Sequence, residues 1–200
     1  MEYRKAIGID IGFDYSTAGI FRNGHVEIAI NERCGRITPS LITFIEKEIL
    51  IGDPFRIYRY LENTIYGKIK LIGRKYNDDE VQEFIKNVPN KIEKDLNSDS
   101  PIIIIKNMEQ INKYYPEDIY ILLLQYLKRN ITNLIGDEIN NIILSVPSDF
   151  NEKQKEIIKK AAENKGFNIS KIILNLLLHL FHIFINIYQI KKKCFNIFYE

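Results

Sequence analysis

Ala6-Ile7-Gly8-Ile9-Asp10-Ile11-Gly12-Phe13-Asp14-Tyr15-Ser16 opens with a buried β-strand over residues 6–10, followed by a tight turn. A carboxylate at the end of such a strand, Asp10, is placed to hold the waters of a Mg²⁺ ion, which usually keeps much of its hydration shell. Gly12 lets the backbone turn so that N–H groups point at a phosphate, the general anion cradle. On turn chemistry alone an Asp and a Gly here also suit a purely structural connection.

Outward from this stretch, residues 16–21 and 26–30 read as a hairpin around Asn23-Gly24, the strongest short hairpin signal. Residues 41–45 and 49–51 form a second hairpin closed by Glu46-Lys47-Glu48, and Gly52-Asp53-Pro54 ends that strand and starts a helix. Residues 79–86 make a short charged helix, and 95–100 a polar turn before the β-rich run 102–105. Pro116 suits the first turn of a helix whose apolar positions Ile119, Leu122, Leu123, Tyr126, Leu127, Ile131 and Leu134 keep the helical period up to Gly136. A βαβ unit follows: strand 141–146, the breaker Pro147, a polar helix over about 151–165, Gly166, and strand 167–174. Its crossover implies a parallel pair. A β-meander followed by helix and βαβ is α/β in class, a mixed sheet with flanking helices.

Composition agrees with one soluble domain, or a domain with an appendage. The 200 residues are 46% apolar and 27% charged, enough apolar content for a real core. Balanced charge, 28 basic against 26 acidic residues, gives no electrostatic case for a nucleic-acid partner. Cys34 and Cys194 have neither metal nor redox spacing and suit a reducing compartment, so the expected location is cytoplasmic. Isoleucine makes up roughly one residue in five, partly an imprint of A- and T-rich codons.

Several words recur in register with one family. Residues 6–12, then Phe21-Arg22-Asn23-Gly24 with Val26-Glu27-Ile28, Arg36-Ile37-Thr38-Pro39-Ser40 and Leu50-Ile51-Gly52-Asp53 resemble the opening of the 70-kilodalton heat-shock chaperones. Glu62-Asn63-Thr64, Leu71-Ile72-Gly73-Arg74-Lys75, Pro116-Glu117-Asp118-Ile119, Val146-Pro147, Phe150-Asn151, Gln154, Gly166-Phe167-Asn168 and Ile172-Ile173 continue the resemblance in order. It covers about residues 3–174 and implies lobe I of an actin-like, ribonuclease-H-like ATPase domain with ATP or ADP and Mg²⁺ as cofactors. The implied role is ATP-dependent protein folding, with unfolded proteins as substrates and co-chaperones as partners. The family's second lobe and peptide-binding domain are not found here. The expected division is 1–174 as the lobe and 175–200 as a divergent apolar tail.

Carried over residue by residue, the resemblance places Asp10, Gly12, Phe13, Asp14 and Tyr15 in the first phosphate loop, with Asp10 on Mg²⁺ through water. Phe13 and Asp14 replace two threonines whose hydroxyl and amide groups face the phosphates. Asp14 brings negative charge toward a polyanion: at about 4 Å like charges repel by roughly 1 to 4 kcal/mol, about a tenfold loss of affinity or more. The side chain pointing away is the alternative. Ile69 stands at the family's catalytic lysine, so no catalytic position is intact. Lys68 is a possible substitute only if the chain slips by one residue; otherwise Lys68 and Lys70 are solvated surface lysines. Pro147 matches a coupling proline, and Lys155 replaces an arginine of that relay, keeping the charge without the planar fork. These departures imply weak or absent ATPase activity. A non-catalytic interaction module or a degenerate gene remnant is the alternative.

At residue 175 the family word Asn-Glu-Pro-Thr-Ala-Ala gives way to Asn175-Leu176-Leu177-Leu178. Shifting the codons CCT ACT GCT by one base yields Leu-Leu-Leu, so the tail is read as a frameshifted remnant. Read without that history, residues 172–190 carry no charge, but Asn175, His179, His182, Asn186 and Gln189 share one helical face. Such a stripe fits an amphipathic helix lying on the domain better than a membrane span. His179 and His182 lack a nearby partner that would complete a metal site.

Overall fold

Ile7, Ile9 and Ile11 alternate with Gly8 and Asp10, and all three isoleucines are buried in β1 (Ile7–Ile11). The computed structural model describes residues 6–175 except 47 and 108, and their side chains except those of 57 and 68. β1 pairs antiparallel with β2 (Tyr15–Arg22), which turns through Asn23 and Gly24, at φ 53° and 78°, into β3 (His25–Ile28). Two residues at positive φ are what a tight hairpin needs to match strand twist. β4 (Thr38–Pro39) pairs with the start of β2, and β5 (Leu41–Ile45) and β6 (Glu48–Ile51) form the second expected hairpin. The helix expected from Pro54 is a 3-10 helix over Pro54–Arg59.

β7 (Thr64–Tyr66) pairs with β5 on the side opposite β6. After α1 (Asp79–Lys86) come β8 (Lys91–Lys94), β9 (Pro101–Asn107) and β10 (Gln110–Tyr114), ordered β10-β9-β8 in an antiparallel sheet. α2 (Pro116–Ile135) ends at Gly136 in the left-handed region (φ 79°), as its sequence foretold. β11 (Asn141–Val146), α3 (Glu152–Asn164) and β12 (Asn168–Leu174) complete the expected parallel unit. The α3 start is a reciprocal cap, with the Asn151 side chain accepting from the Gln154 amide and Gln154 accepting from the Asn151 amide, both at 2.9 Å.

The main sheet runs β12-β11-β1-β2-β3, with β12, β11 and β1 parallel and the rest antiparallel. The fold is therefore α/β with a mixed sheet, and α2 and α3 pack beside it. Isoleucine is more than a codon imprint, because Ile7, Ile9, Ile11, Ile42, Ile65, Ile69, Ile72, Ile103 and Ile105 are among the largest fully buried side chains. Register sets Asp10 opposite Ser145 at the carboxyl ends of β1 and β11, and the Ser145 hydroxyl donates to Asn175 Oδ1 at 2.8 Å just beyond β12. Three parallel strands thus deliver their ends to one place, where open α/β sheets bind ligands. The tail from 176 on, with its frameshift, amphipathic and histidine readings, lies outside the described residues.

Candidate functional site

The turn after β1 closes on itself through the Gly12 amide, which donates to the Tyr15 carbonyl at 3.1 Å. A Cβ on residue 12 would stand 2.9 Å from that carbonyl, so the turn accepts only glycine without shifting. Phe13 and Asp14 form its tip, and no backbone carbonyl among the described residues accepts their amides. Amides without a backbone acceptor are available to meet an anion. Asp10, half-buried two residues before the turn, acts on Tyr120. Burial, and then the negative charge of Asp10, pushes the Tyr120 hydroxyl well above the ordinary tyrosine range. That hydroxyl has no hydrogen-bond partner among the described residues. Among the same residues there is no cluster of three or more His, Cys, Asp or Glu suited to a bare metal ion. One strand-end carboxylate suits an ion that keeps its waters, as Mg²⁺ does.

The Asp14 side chain has a partner from a distant strand. Its Oδ1 accepts from the Tyr66 hydroxyl at 2.5 Å, drawing the carboxylate toward β7, and its carbonyl accepts the Ser40 amide at 2.8 Å. The hydrogen bond to Asp14, helped by burial and by the charges of Asp14 and Tyr15, pushes the Tyr66 phenol up to about 12. Tyr15 itself is exposed at the rim of the turn.

Ile69 is only 2% exposed and belongs to the core, within a 3-10 turn spanning Lys68–Leu71 that follows Gly67 at φ 67°. No ammonium stands at that position. The Lys68 side chain lies outside the described ones. Sequence reasoning missed Lys70, which it left as a solvated surface lysine: Lys70 Nζ sits 4.9 Å from the centre of the Phe13 ring, over the tip of the turn. The signal was available in the turn geometry. With three residues per turn, burying residue 69 sends residue 70 about a third of a turn round, toward a different neighbour. Phe13 also packs against Phe150, ring centres 6.3 Å apart.

The segment carrying Lys70 is fixed from α3. Gln154, buried, donates to the Ile72 carbonyl at 2.8 Å, and Gly73, at φ 69°, leaves only 3.1 Å between a would-be Cβ and Gln154 Cγ. Pro147 is buried where β11 ends, and its carbonyl accepts the Phe150 amide at 3.1 Å. Lys155 pairs with Glu152 of its own helix at 2.7 Å. The structure thus brings Asp10, Gly12, Phe13, Asp14 and Tyr15 together and gives Lys155 a local partner.

The family model described as Hsp70 protein matches residues 6–176. The chain belongs to the Hsp70 family. Heat shock 70 kDa protein of Trichophyton rubrum is 35% identical over 170 residues, 84% of this chain and 26% of that protein. Heat shock 70 kDa protein 2 of Paracoccidioides lutzii is 36% identical over 171 residues, 84% and 26% of the two chains. Heat shock cognate 70 kDa protein 3 of Dictyostelium discoideum is 34% identical over 170 residues, 84% and 27%. The chain thus spans about a quarter of the length of the curated Hsp70 relatives it matches. Its mixed sheet with flanking helices is consistent with an actin-like ATPase lobe, and the match makes the chain an N-terminal Hsp70 fragment. No helix among the described residues of this Hsp70 chain is long and apolar enough to cross a membrane.

Proposed function

We propose that this chain binds ATP or ADP with Mg²⁺ at the turn 12–15, with weak or no turnover on its own. The observation that carries the proposal is the glycine-only turn at the carboxyl end of β1, its Phe13 and Asp14 amides taken by no backbone carbonyl among the described residues, beside the ends of β11 and β12. The turn would hold phosphate oxygens through those amides, and Asp10 would hold Mg²⁺ through water. Mg²⁺ supplies charge neutralisation of the phosphates. Asp10 orients the hydrated ion, and Tyr66 keeps the Asp14 carboxylate off the anion. With Ile69 buried in the core, the chain brings no cation to its family's catalytic position, so hydrolysis is slow or absent.

The finer parts of this reading rest on family membership. They are a cytosolic chaperone role toward unfolded proteins and co-chaperones, a lobe over 1–174 with a distinct tail over 175–200, and a coupling relay through Pro147 and Lys155. A non-catalytic interaction module is favoured by the same buried Ile69 and by the exposed Phe55 and Tyr58, 77% and 88% accessible on one 3-10 helix. Calorimetric titration with MgATP, paired with a phosphate-release assay, separates the two. We expect saturable binding with a Kd below about 1 mM, near −4 kcal/mol, and phosphate release no faster than the protein-free blank. No heat of binding at several millimolar ATP leaves the interaction module, and rapid phosphate release contradicts the catalytic part.

A further inference from the structure

Phe13 is an odd residue to find at the tip of an anion-binding turn, because an aromatic ring offers a phosphate nothing. What the ring does offer is a negative π face, which holds a cation within about 6 Å of its centre. Lys70 Nζ occupies that face at 4.9 Å. We propose that Lys70, docked on Phe13, supplies the positive charge for the phosphates at this turn, a relocated cation that stands in for the one lost at residue 69. The inference rests on the nucleotide reading above and deepens it.

Three features support the assignment. Lys70 is exposed, and its ammonium lies over the Phe13 ring and not against a carboxylate of the described residues. Its backbone is held: the Lys70 amide donates to the Gly67 carbonyl at 3.3 Å, and Gln154 grips the Ile72 carbonyl two residues on. The neighbouring acid that would compete for it, Asp14, is engaged by Tyr66 at 2.5 Å. The two substitutions that look like damage, Phe13 for a threonine and Ile69 for a lysine, therefore form a linked exchange. Burying residue 69 turns residue 70 toward the loop, and Phe13 gives its ammonium a seat. The recognised chemistry is a phosphoryl group, free or at the end of a nucleotide.

Calorimetry on the full chain tests this with MgATP and with Mg²⁺ and inorganic triphosphate as separate probes. Lys70→Met is expected to weaken both about tenfold, the scale of one partly screened charge, and the loss should shrink at high salt. Lys70→Arg, which keeps the charge and stacks on rings, should stay within about threefold of wild type. Phe13→Leu should lose about threefold by unseating the ammonium. Lys128→Met is the control: Lys128 also lies over a ring, Phe167 at 5.5 Å, but at the opposite end of the parallel strands, and its removal should change nothing. A loss with ATP and none with triphosphate would move the contact from the phosphates to the nucleoside and overturn the assignment. Wild-type affinity in Lys70→Met, with an unchanged melting temperature, would overturn it while leaving the nucleotide site in place. A wild-type chain that binds neither probe at millimolar concentration would overturn both.

Discussion

Asp14 places a carboxylate at the tip of a turn whose Phe13 and Asp14 amides no backbone carbonyl among the described residues accepts, and a hydroxyl from a strand 52 residues away decides where that charge goes. With Tyr66 donating at 2.5 Å the carboxylate is held toward β7, but its field still reaches the turn. Asp14→Asn should therefore raise MgATP affinity modestly, by about two- to threefold at low salt, measured by calorimetry, with the gain falling as ionic strength rises. An unchanged Kd would mean that the Asp14 charge does not reach the bound anion. At this scale the sequence was legible where one residue type has one physical use. Gly12 could be read directly, because any Cβ there meets a carbonyl at 2.9 Å. The pairings of Asp14 with Tyr66 and of Phe13 with Lys70 could not, since each joins residues that only the tertiary fold brings together.

At the level of elements, α2 shows both sides of the same limit. Pro116, the apolar period and Gly136 mark its ends and its buried face in the sequence, and the structure places Ile119, Leu123, Tyr126, Leu127 and Ile131 in the core. Glu117 in its first turn is in the position where a helix favours negative charge. Burial nevertheless wins and, with Asp118 beside it, holds the Glu117 carboxyl above its ordinary range. A carboxyl raised on folding contributes stability below its unfolded pKa, and that contribution is lost as pH rises through the folded value. Glu117→Gln should thus raise the melting temperature at pH 7 by about 2 °C and change it little at pH 3, read by differential scanning calorimetry. A larger gain at pH 3 than at pH 7 would reverse the assignment. β7 went unread because it is only three residues long, and β8 and β10 because Lys91-Ile92-Glu93-Lys94 and Gln110-Ile111-Asn112-Lys113-Tyr114 are mostly polar or exposed edge segments. They are strands because β5 and β9 offer them backbone partners.

On the scale of the whole molecule, one topological fact organises the rest. β1, β11 and β12 run parallel, so Asp10, Ser145 and Asn175 arrive at the same edge of the sheet, and the turn 12–15 projects from it. The βαβ unit made that parallel arrangement legible in the sequence. The convergence itself depended on register, which a hydrophobic pattern fixes only modulo two residues. The central claim is that the phosphates of a nucleotide bind at this edge. Titrating the full, isotope-labelled chain with MgATP while following its amide resonances tests that claim most directly. The account predicts saturable shifts centred on Gly12, Phe13, Asp14 and Lys70, reproduced by Mg²⁺ with inorganic triphosphate. It is contradicted if those amides stay still at millimolar ATP, or if the shifts gather on another face of the domain.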